Sequence, residues 1–475
     1  MAYYTDMEQI LYLVILIIYF LVLFLFIRLQ IYGWWSEKTY WRKKPKLSIK
    51  NLQKLYQGQK LPRLTIFVPA YNESEVIDNT IEHLFKLVYP TDRLEIIVVT
   101  DEKELETNSG LTTQEVVENK IGKLIEKKNL PNLRHLIVPK NFDGYLHGKC
   151  LDKIVPSTKG RALNFAIPHR HQQTKICAFY DCDSRPNKKV LLYIAYRYLK
   201  NKDQVRLWQG PVYQVRNFFQ LYHINKVAAL YQSISHQWYL PVLMSKLPFA
   251  GGTNLFITSG LIDKINGFDH NSLTEDLELG IRVYVETGNW PEYIPYPSTE
   301  QTPSTYRAFF RQRLRWGSGY LQVMEKLQQA NMKTVNKEKR RKEMLNVLFW
   351  NGPVEWIFFQ TIILFPLFIL LLNFFFLIAP QPLFTGMAGV MNIMVLFISI
   401  AFTFERLYHF SSFINFDLAS PNRFRRILSV LHLLLLPIAG FFFVIPFTTS
   451  IILKTLRRQP LLWVKTPRTK EVISK

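Results

Sequence analysis

The chain has 475 residues, a formal charge of +23 and 48% apolar residues, a length that suits two or three domains. Apolar residues crowd both ends and the basic residues stand beside those runs, so the charge points to an anionic membrane surface; no groove-reading motif supports nucleic acid as a partner. Cys150, Cys177 and Cys182 have neither disulfide nor zinc spacing and read as free thiols, Cys182 as a small filler.

Residues 10–27 are uncharged and apolar, long enough to cross about 30 Å of hydrocarbon. No basic stretch precedes them and no small-residue cleavage site follows, which argues against a signal peptide. Arg28, Lys38, Arg42, Lys43, Lys44, Lys46, Lys50 and Lys54 come next, opposed by Glu37. Positive charge stays on the cytosolic side, so the amino terminus is expected outside and the middle of the chain in the cytosol. Trp34, Trp35, Tyr40 and Trp41 are expected to form an interfacial aromatic belt.

From residue 64 to about 297 the pattern is that of an α/β domain. Strands are predicted at 64–69, 94–99, 134–138, 175–180 and 204–209. Asn72 is predicted to cap a helix, Lys159 to open another, and a long helix to run over 217–238. The alternation implies a largely parallel sheet with helices on both faces.

The strand at 175–180 ends in Asp181 and Asp183. In an extended chain residues i and i+2 point to one side, and ligands sit at the carboxyl ends of strands in such sheets. Two hard oxygen donors there suit Mg²⁺ or Mn²⁺; the competing reading is an acidic turn.

Residues 356–404 carry no charge and break near Pro380 and Pro382, predicting two spans joined by a tight external turn. Arg406 and the block from Asn422 to Arg426 separate them from a third run, 427–453, interrupted by Pro437, Gly440 and Pro446. The tail is basic: Lys454, Arg457, Arg458, Lys465, Arg468 and Lys470. One full third span would put that tail outside, against the charge rule; a broken hairpin or half-span keeps it inside, and the inside placement is expected.

Four stretches stand in order: Pro69–Glu73 after a strand, the Asp181/Asp183 pair, Leu273–Asp276, and Gln312–Trp316. Together they resemble the family 2 glycosyltransferases, specifically the membrane-embedded branch of cellulose and hyaluronan synthases, over roughly residues 64–320. Gly251–Asn254 and Lys159 also resemble that branch.

The resemblance implies a GT-A (nucleotide-diphospho-sugar transferase) fold with transmembrane helices at both ends. Its division is an N-terminal membrane helix at 1–31, a cytosolic catalytic domain at 32–300, amphipathic interface helices at 301–345, C-terminal spans at 346–456 and a basic cytosolic tail at 457–475.

By the same resemblance Asp276 is the general base, with Glu275 supporting it. Asp183 and Asp181 hold the cation. Ala70, Tyr71, Glu73, Asp101, Lys159, Asp181, Gln312, Arg315 and Trp316 bind the donor nucleotide. Gly251, Gly252, Thr253 and Trp316 meet the acceptor. The family often has two aspartates after its second strand, where this chain has Thr100, Asp101 and Glu102. Competing structural readings are an N-cap at Thr274 or Asp276, a solvated Lys159, a plain loop at Gly251 and Gly252, and a basic membrane-surface helix carrying Arg307, Arg311, Arg313 and Arg315.

The implied activity is inverting transfer of a sugar, glucose first, from a UDP-sugar with Mg²⁺ or Mn²⁺. The acceptor is a growing β-linked polysaccharide, exported through the protein's own spans with no export partner specified, or alternatively a membrane lipid such as diacylglycerol. The implied setting is the plasma membrane. A non-catalytic scaffold would show gaps among Asp181, Asp183, Asp276, Gln312, Arg315 and Trp316, and all are present. The tail segment Trp463–Pro467 loosely resembles a site-covering loop of cellulose synthase.

Overall fold

The computed structural model describes residues 6–56, 58, 60–107, 110–124, 131–200, 206–359 and 436–456, with isolated positions at 361, 362, 365, 390, 393, 394, 397, 432 and 469. The spans expected within 360–435, their external turn, and the Trp463–Pro467 segment lie outside these residues, isolated positions apart.

Among the described residues ten strands build two sheets. They are β1 (Arg63–Pro69), β2 (Leu94–Asp101), β3 (Asn132–Val138), β4 (Thr174–Phe179), β5 (Arg185–Pro186), β6 (Leu207–Gln209), β7 (Val212–Gln214), β8 (Leu255–Thr258), β9 (Glu292–Tyr293) and β10 (Ser298–Glu300). The main sheet has the order β3-β2-β1-β4-β8-β6-β9. Its pairs are parallel except that β8 runs antiparallel to both β4 and β6. The second sheet is β5-β10-β7.

Strands buried on both faces read as continuous apolar runs, and β1 shows the consequence. Leu64, Ile66 and Val68 join the core beneath helices Ile77–Phe85 and Val190–Lys200, whereas Phe67 joins the opposite core with Phe179, Leu163 and Leu261. The expectation of a mostly parallel sheet covered on both faces therefore holds. β8, antiparallel to both its neighbours, is the departure from the parallel order.

Several local expectations change. Asn72 caps no helix: it sits at φ 54°, in the left-handed region that Asn tolerates, and Ile77–Phe85 begins after Val76 without a side-chain cap. β2 continues through Thr100 and Asp101 instead of ending at Val99. The helix expected over 217–238 is broken. A 3₁₀ turn (Phe218–Gln220) precedes His223–Ile234, and a π-helical turn (Ser235–Tyr239) follows. The break comes from tertiary bonds. The Asn217 amide donates to Thr302 O at 2.7 Å and accepts from Thr302 N at 2.8 Å, turning the chain at its start.

Helix Asp6–Ser36 continues into a π-helical turn, Glu37–Trp41. Among the described residues one helix, Leu13–Trp41, is long and apolar enough to cross a membrane. The aromatic belt divides. Trp34 and Trp35 face outward, whereas Trp41 donates from Nε1 to Gln237 O at 3.1 Å and Tyr40 packs edge-on against Tyr293. Ser36 Oγ donates to Trp238 O at 2.6 Å. The amino-terminal helix is thus fastened to the turn 235–239 of the α/β body.

At the other end Leu436–Thr455 is one helix despite Gly440 and Pro446, so those residues do not break it. Thr449 Oγ1 donates to Ile445 O at 2.6 Å just past the proline. This helix lies along Tyr306–Gln329. Ser450 and Phe447 sit over Gly317, and Lys454 Nζ donates to Leu321 O at 2.9 Å. A Cβ on Gly317 would stand 2.6 Å from Ser450 Oγ, so only glycine permits that approach. In the tail, Thr469 exchanges two 2.9 Å hydrogen bonds with the Gln301 side chain, placing that residue on the α/β body.

Candidate active site

The carboxyl ends of β1, β2 and β4 open on one cavity of about 430 Å³. Chain sections far apart in sequence meet there: Ala70, Tyr71, Glu73, Asp101, Lys159, Asp181, Gly251, Thr253, Glu275, Asp276, Gln312, Arg315 and Trp316 all line it.

The acidic centre is built by a turn and a small sheet. β4 ends at Phe179, and Ser184 N donates to Asp181 O at 2.9 Å. The chain is therefore turned between the two aspartates, and strand alternation is not what aligns them. β10 pairs with β5 immediately after that turn, Thr299 opposite Arg185, and brings in Glu300. Oxygens of Asp181, Asp183 and Glu300 lie within 4.8 Å of one another. Asp183 is fully buried and accepts from Gln301 N at 2.9 Å; Glu300 accepts from Ser184 Oγ at 2.5 Å. Burial, then the charges of Asp181 and Asp183, push the Glu300 carboxyl up to about 8. Three crowded carboxylates, one of them driven towards its neutral form by burial and by the others, fit a hard divalent cation. Nothing in the sequence marks Glu300, an acid beside Gln301 in a three-residue strand.

Lys159 joins this centre to the second one. Thr158 caps its helix, Lys159–Ala166, by accepting from Arg161 N. Lys159 Nζ then donates to Asp181 and, at 2.7 Å, to Gly252 O. Burial acts to lower its pKa, but Asp181, Glu275 and Asp276 around it raise it above the ordinary lysine value. Lys159 is a fixed cation within the site, not a solvated surface lysine.

Glu275 and Asp276 open helix Glu275–Thr287. Thr274 holds the N-cap position but makes no capping bond, and Asp276 lies inside the helix, its Oδ1 accepting from Leu277 N at 2.8 Å. The cap reading fails for both residues. Burial and then Asp276 push Glu275 up to about 7; burial also raises Asp276, while Lys159 and Arg315 pull it back.

A Cβ on Gly252, which has φ 71°, would stand 2.6 Å from Asp276 Oδ2 and 3.3 Å from Lys159 Nζ. The close approach of this backbone to the acid is why glycine stands there. Gly252→Ala should lower turnover about 10²-fold, the cost of a misplaced reacting group. A steady-state assay on folded variant checks it, and near wild-type turnover would contradict it.

Helix Tyr306–Gln329 separates its arginines. Arg307 and Arg311 are exposed, as a membrane-surface helix requires, but Arg313 is wholly buried. Arg313 donates to the side-chain carbonyls of Gln312 (3.2 Å), Gln214 (3.2 Å) and Gln232, and its guanidinium lies 3.9 Å from the Trp316 ring centre. It therefore sets the position of the two cavity residues Gln312 and Trp316. Arg315 donates to Leu273 O at 3.0 Å, tying this helix to the stretch before Glu275. Arg313→Leu should reduce turnover roughly tenfold, and Arg313→Lys should not restore it, because an ammonium lacks the planar stacking face. Full rescue by lysine would show that charge alone matters.

The family described as "Glycosyl transferase family group 2" matches residues 177–452, and "Glycosyl transferase family 2" matches residues 65–121. The chain belongs to glycosyl transferase family group 2. Probable glycosyltransferase YdaM of Bacillus subtilis is 29% identical over 322 residues, 66% of this chain and 68% of the relative. The beta-monoglucosyldiacylglycerol synthase of Trichormus variabilis is 25% identical over 275 residues, 57% of this chain and 51% of the relative. The probable glucomannan 4-beta-mannosyltransferase 14 of Arabidopsis thaliana is 22% identical over 278 residues, 58% of this chain and 48% of the relative. The chain thus spans about half the length of the latter two.

In this family 2 glycosyltransferase Asp101 reaches the cavity under constraint. Its Oδ2 accepts from the buried Arg161 and from Ser157 Oγ, both at 2.7 Å, and Oδ1 accepts from Lys103 N at 3.1 Å. Arg161 also donates to Phe142 O and Pro139 O. The Asp101–Arg161 pair fixes the wall of the cavity beyond β2 and β3. Thr253 touches the acidic centre: its Oγ1 lies 2.8 Å from Ser184 Oγ and accepts from Asp181 N at 3.3 Å. His236, also on the cavity wall, is held neutral, pushed down to about 4 by burial and by Arg313.

Proposed function

We propose that this transferase moves a hexosyl group, glucose first among candidates, from a UDP-sugar to an acceptor hydroxyl with inversion, at the cytosolic face of the membrane that holds its amino-terminal helix. The observation that carries the reading is Lys159. Its ammonium donates to Asp181 of the three-carboxylate centre and lies in the field of Glu275 and Asp276, so a cation site and a candidate base share one cavity.

Asp181, Asp183 and Glu300 would hold Mg²⁺ or Mn²⁺, which when bound offsets charge on the departing diphosphate. Lys159 and Arg315 place two further cations beside the same cavity. The acceptor oxygen forms its bond to the anomeric carbon as the bond from that carbon to the diphosphate oxygen breaks, and the acceptor proton passes to Asp276. An ordinary carboxylate is a weak base for an alcohol, so proton transfer accompanies attack. The raised Asp276 suits that role better than an exposed aspartate. Ala70, Tyr71, Glu73 and Asp101 supply the nucleoside end, and Gly251, Gly252, Thr253 and Trp316 the acceptor side.

The test is UDP release from UDP-glucose and a panel of other UDP- and GDP-sugars by purified full-length protein, with Mn²⁺ and with EDTA. Cation-dependent UDP release is expected, greatest with a UDP-hexose. Absence of release from every donor would overturn the reading.

A further inference from the structure

Two hydroxyls stand behind the acidic centre. Ser184 Oγ donates to Glu300 Oε1 at 2.5 Å and lies 2.8 Å from Thr253 Oγ1, which accepts from Asp181 N at 3.3 Å. A hydroxyl has a single hydrogen to give. Ser184 gives its own to the Glu300 carboxylate, so the hydrogen between the two hydroxyls comes from Thr253. Thr253 then has none left, and its oxygen takes the Asp181 N–H. The directions make one chain: Asp181 N–H to Thr253, Thr253 to Ser184, Ser184 to Glu300. The chain leaves one member of the acidic trio and ends on another. The third, Asp183, is held from the residue after Glu300, by Gln301 N at 2.9 Å.

Both hydroxyls sit on fixed backbone. Ser184 is fully buried and Thr253 is 4% exposed. Ser184 belongs to the turn closed by its own N–H on Asp181 O. Thr253 belongs to a loop that the buried Gln209, at the end of β6, clamps from two sides. Gly251 N donates to Gln209 Oε1 and Gln209 Nε2 donates to Thr253 O, each at 2.8 Å. Asn254, the next residue, donates to Pro211 O at 3.1 Å and to Tyr296 O at 2.8 Å. The backbone beneath the Thr253 hydroxyl is therefore held without help from that hydroxyl.

We infer that Thr253 and Ser184 are positioning residues of the cation centre: their linked hydroxyls hold the Glu300 carboxylate beside Asp181 and Asp183 in the arrangement that receives a divalent ion. The inference rests on the cation site of the transfer reading above and gives Thr253 a task apart from the acceptor. Three carboxylates whose oxygens lie within 4.8 Å of one another repel. At Asp181 the Lys159 ammonium offsets that repulsion. Glu300 makes no ion pair among the described residues, and the Ser184 hydroxyl is what meets it. A neutral donor orients the carboxylate and leaves its charge for the ion, whereas a cation there would compete with the ion. At 2.5 Å the bond to Glu300 is of the short, charge-assisted kind. A donor that itself accepts a hydrogen bond is polarised along the chain and holds more strongly.

The test is Mn²⁺ binding by full-length protein in detergent, without donor or acceptor, with free Mn²⁺ read by electron paramagnetic resonance. Thr253→Val removes the hydroxyl and keeps the shape, whereas Thr253→Ser keeps the hydroxyl. Thr253→Val and Ser184→Ala are each expected to raise the Kd for Mn²⁺ about tenfold or more, with Thr253→Ser within about twofold of wild type. The double variant should bind about as well as the weaker single one, because both hydroxyls act through one chain. Losses that add in the double variant would overturn the chain, as would a wild-type Kd in Thr253→Val. Equal weakening by Thr253→Val and Thr253→Ser would assign Thr253 to packing and overturn it too. Each of these results leaves the cation site and UDP release standing. Wild-type protein that binds no Mn²⁺, alone or with UDP, would overturn the cation site and the chain together. Where Thr253→Val does not fold, the Kd of Ser184→Ala decides: a rise of about tenfold supports the chain and an unchanged value overturns it.

Discussion

Replacing Asp276 by Asn is expected to lower sugar transfer by about 10³-fold, within the range that general-base catalysis supplies, while UDP affinity stays near wild type. The amide keeps the shape of the carboxylate and can still accept from Leu277 N, so helix Glu275–Thr287 retains its start. What disappears is the group proposed to take the acceptor proton. Turnover and UDP binding by calorimetry are to be measured on the same preparation. A joint loss of both would mean that Asp276 supports the pocket's shape and not its chemistry.

The rate should also depend on pH in a definite direction. Burial and Asp276 push Glu275 up to about 7, and burial raises Asp276. Base catalysis requires Asp276 ionised, so turnover should rise as pH climbs towards neutrality and fall on acidification. The Asp276 charge is one cause of the rise at Glu275, so Asp276 is already ionised where Glu275 titrates. Glu275→Gln should therefore leave the acid limb near its wild-type position, and a shift of that limb to lower pH would show that Glu275 carries its charge before Asp276 does.

Replacing Asp183 by Asn should have an effect of similar size, by a different route. Asp183 is fully buried and accepts from Gln301 N, and asparagine preserves that bond. The change removes one negative charge from a cluster of three. Electrostatic stabilisation of developing charge is often the largest single catalytic contribution, and loss of one donor alone costs about 10²–10³-fold. Turnover is expected to fall at least that far, and Mn²⁺ should no longer strengthen UDP binding. Glu300→Gln is expected to raise the Mn²⁺ concentration needed for half activity about tenfold or more, as loss of a supporting group around a metal does. Titrating Mn²⁺ against UDP affinity measures both. Metal-dependent binding unchanged in Asp183→Asn would remove Asp183 from the cation site.

The sequence alone determined those features that depend on local pattern. The apolar runs of β1, β2 and β4 needed only their continuity to announce a sheet buried on both faces, because alternate residues of such strands meet separate cores. The helix opening at Lys159 and the short spacing from Gln312 to Trp316 likewise show in the order of residues, since a helical face is set within a few positions. Tertiary structure decided what depends on distance along the chain. Asp183 and Glu300 are 117 positions apart, and only the pairing of β5 with β10 brings them together. Arg313 and Arg315 are near neighbours in an outwardly uniform basic stretch, yet one is buried beneath Trp316 and the other turns to Leu273. The break in the 217–238 helix, with its bonds to Thr302 and Trp41, has the same origin. Local preference is weak beside the burial and hydrogen bonding of partners from elsewhere in the chain, and those partners exist only once the fold has formed.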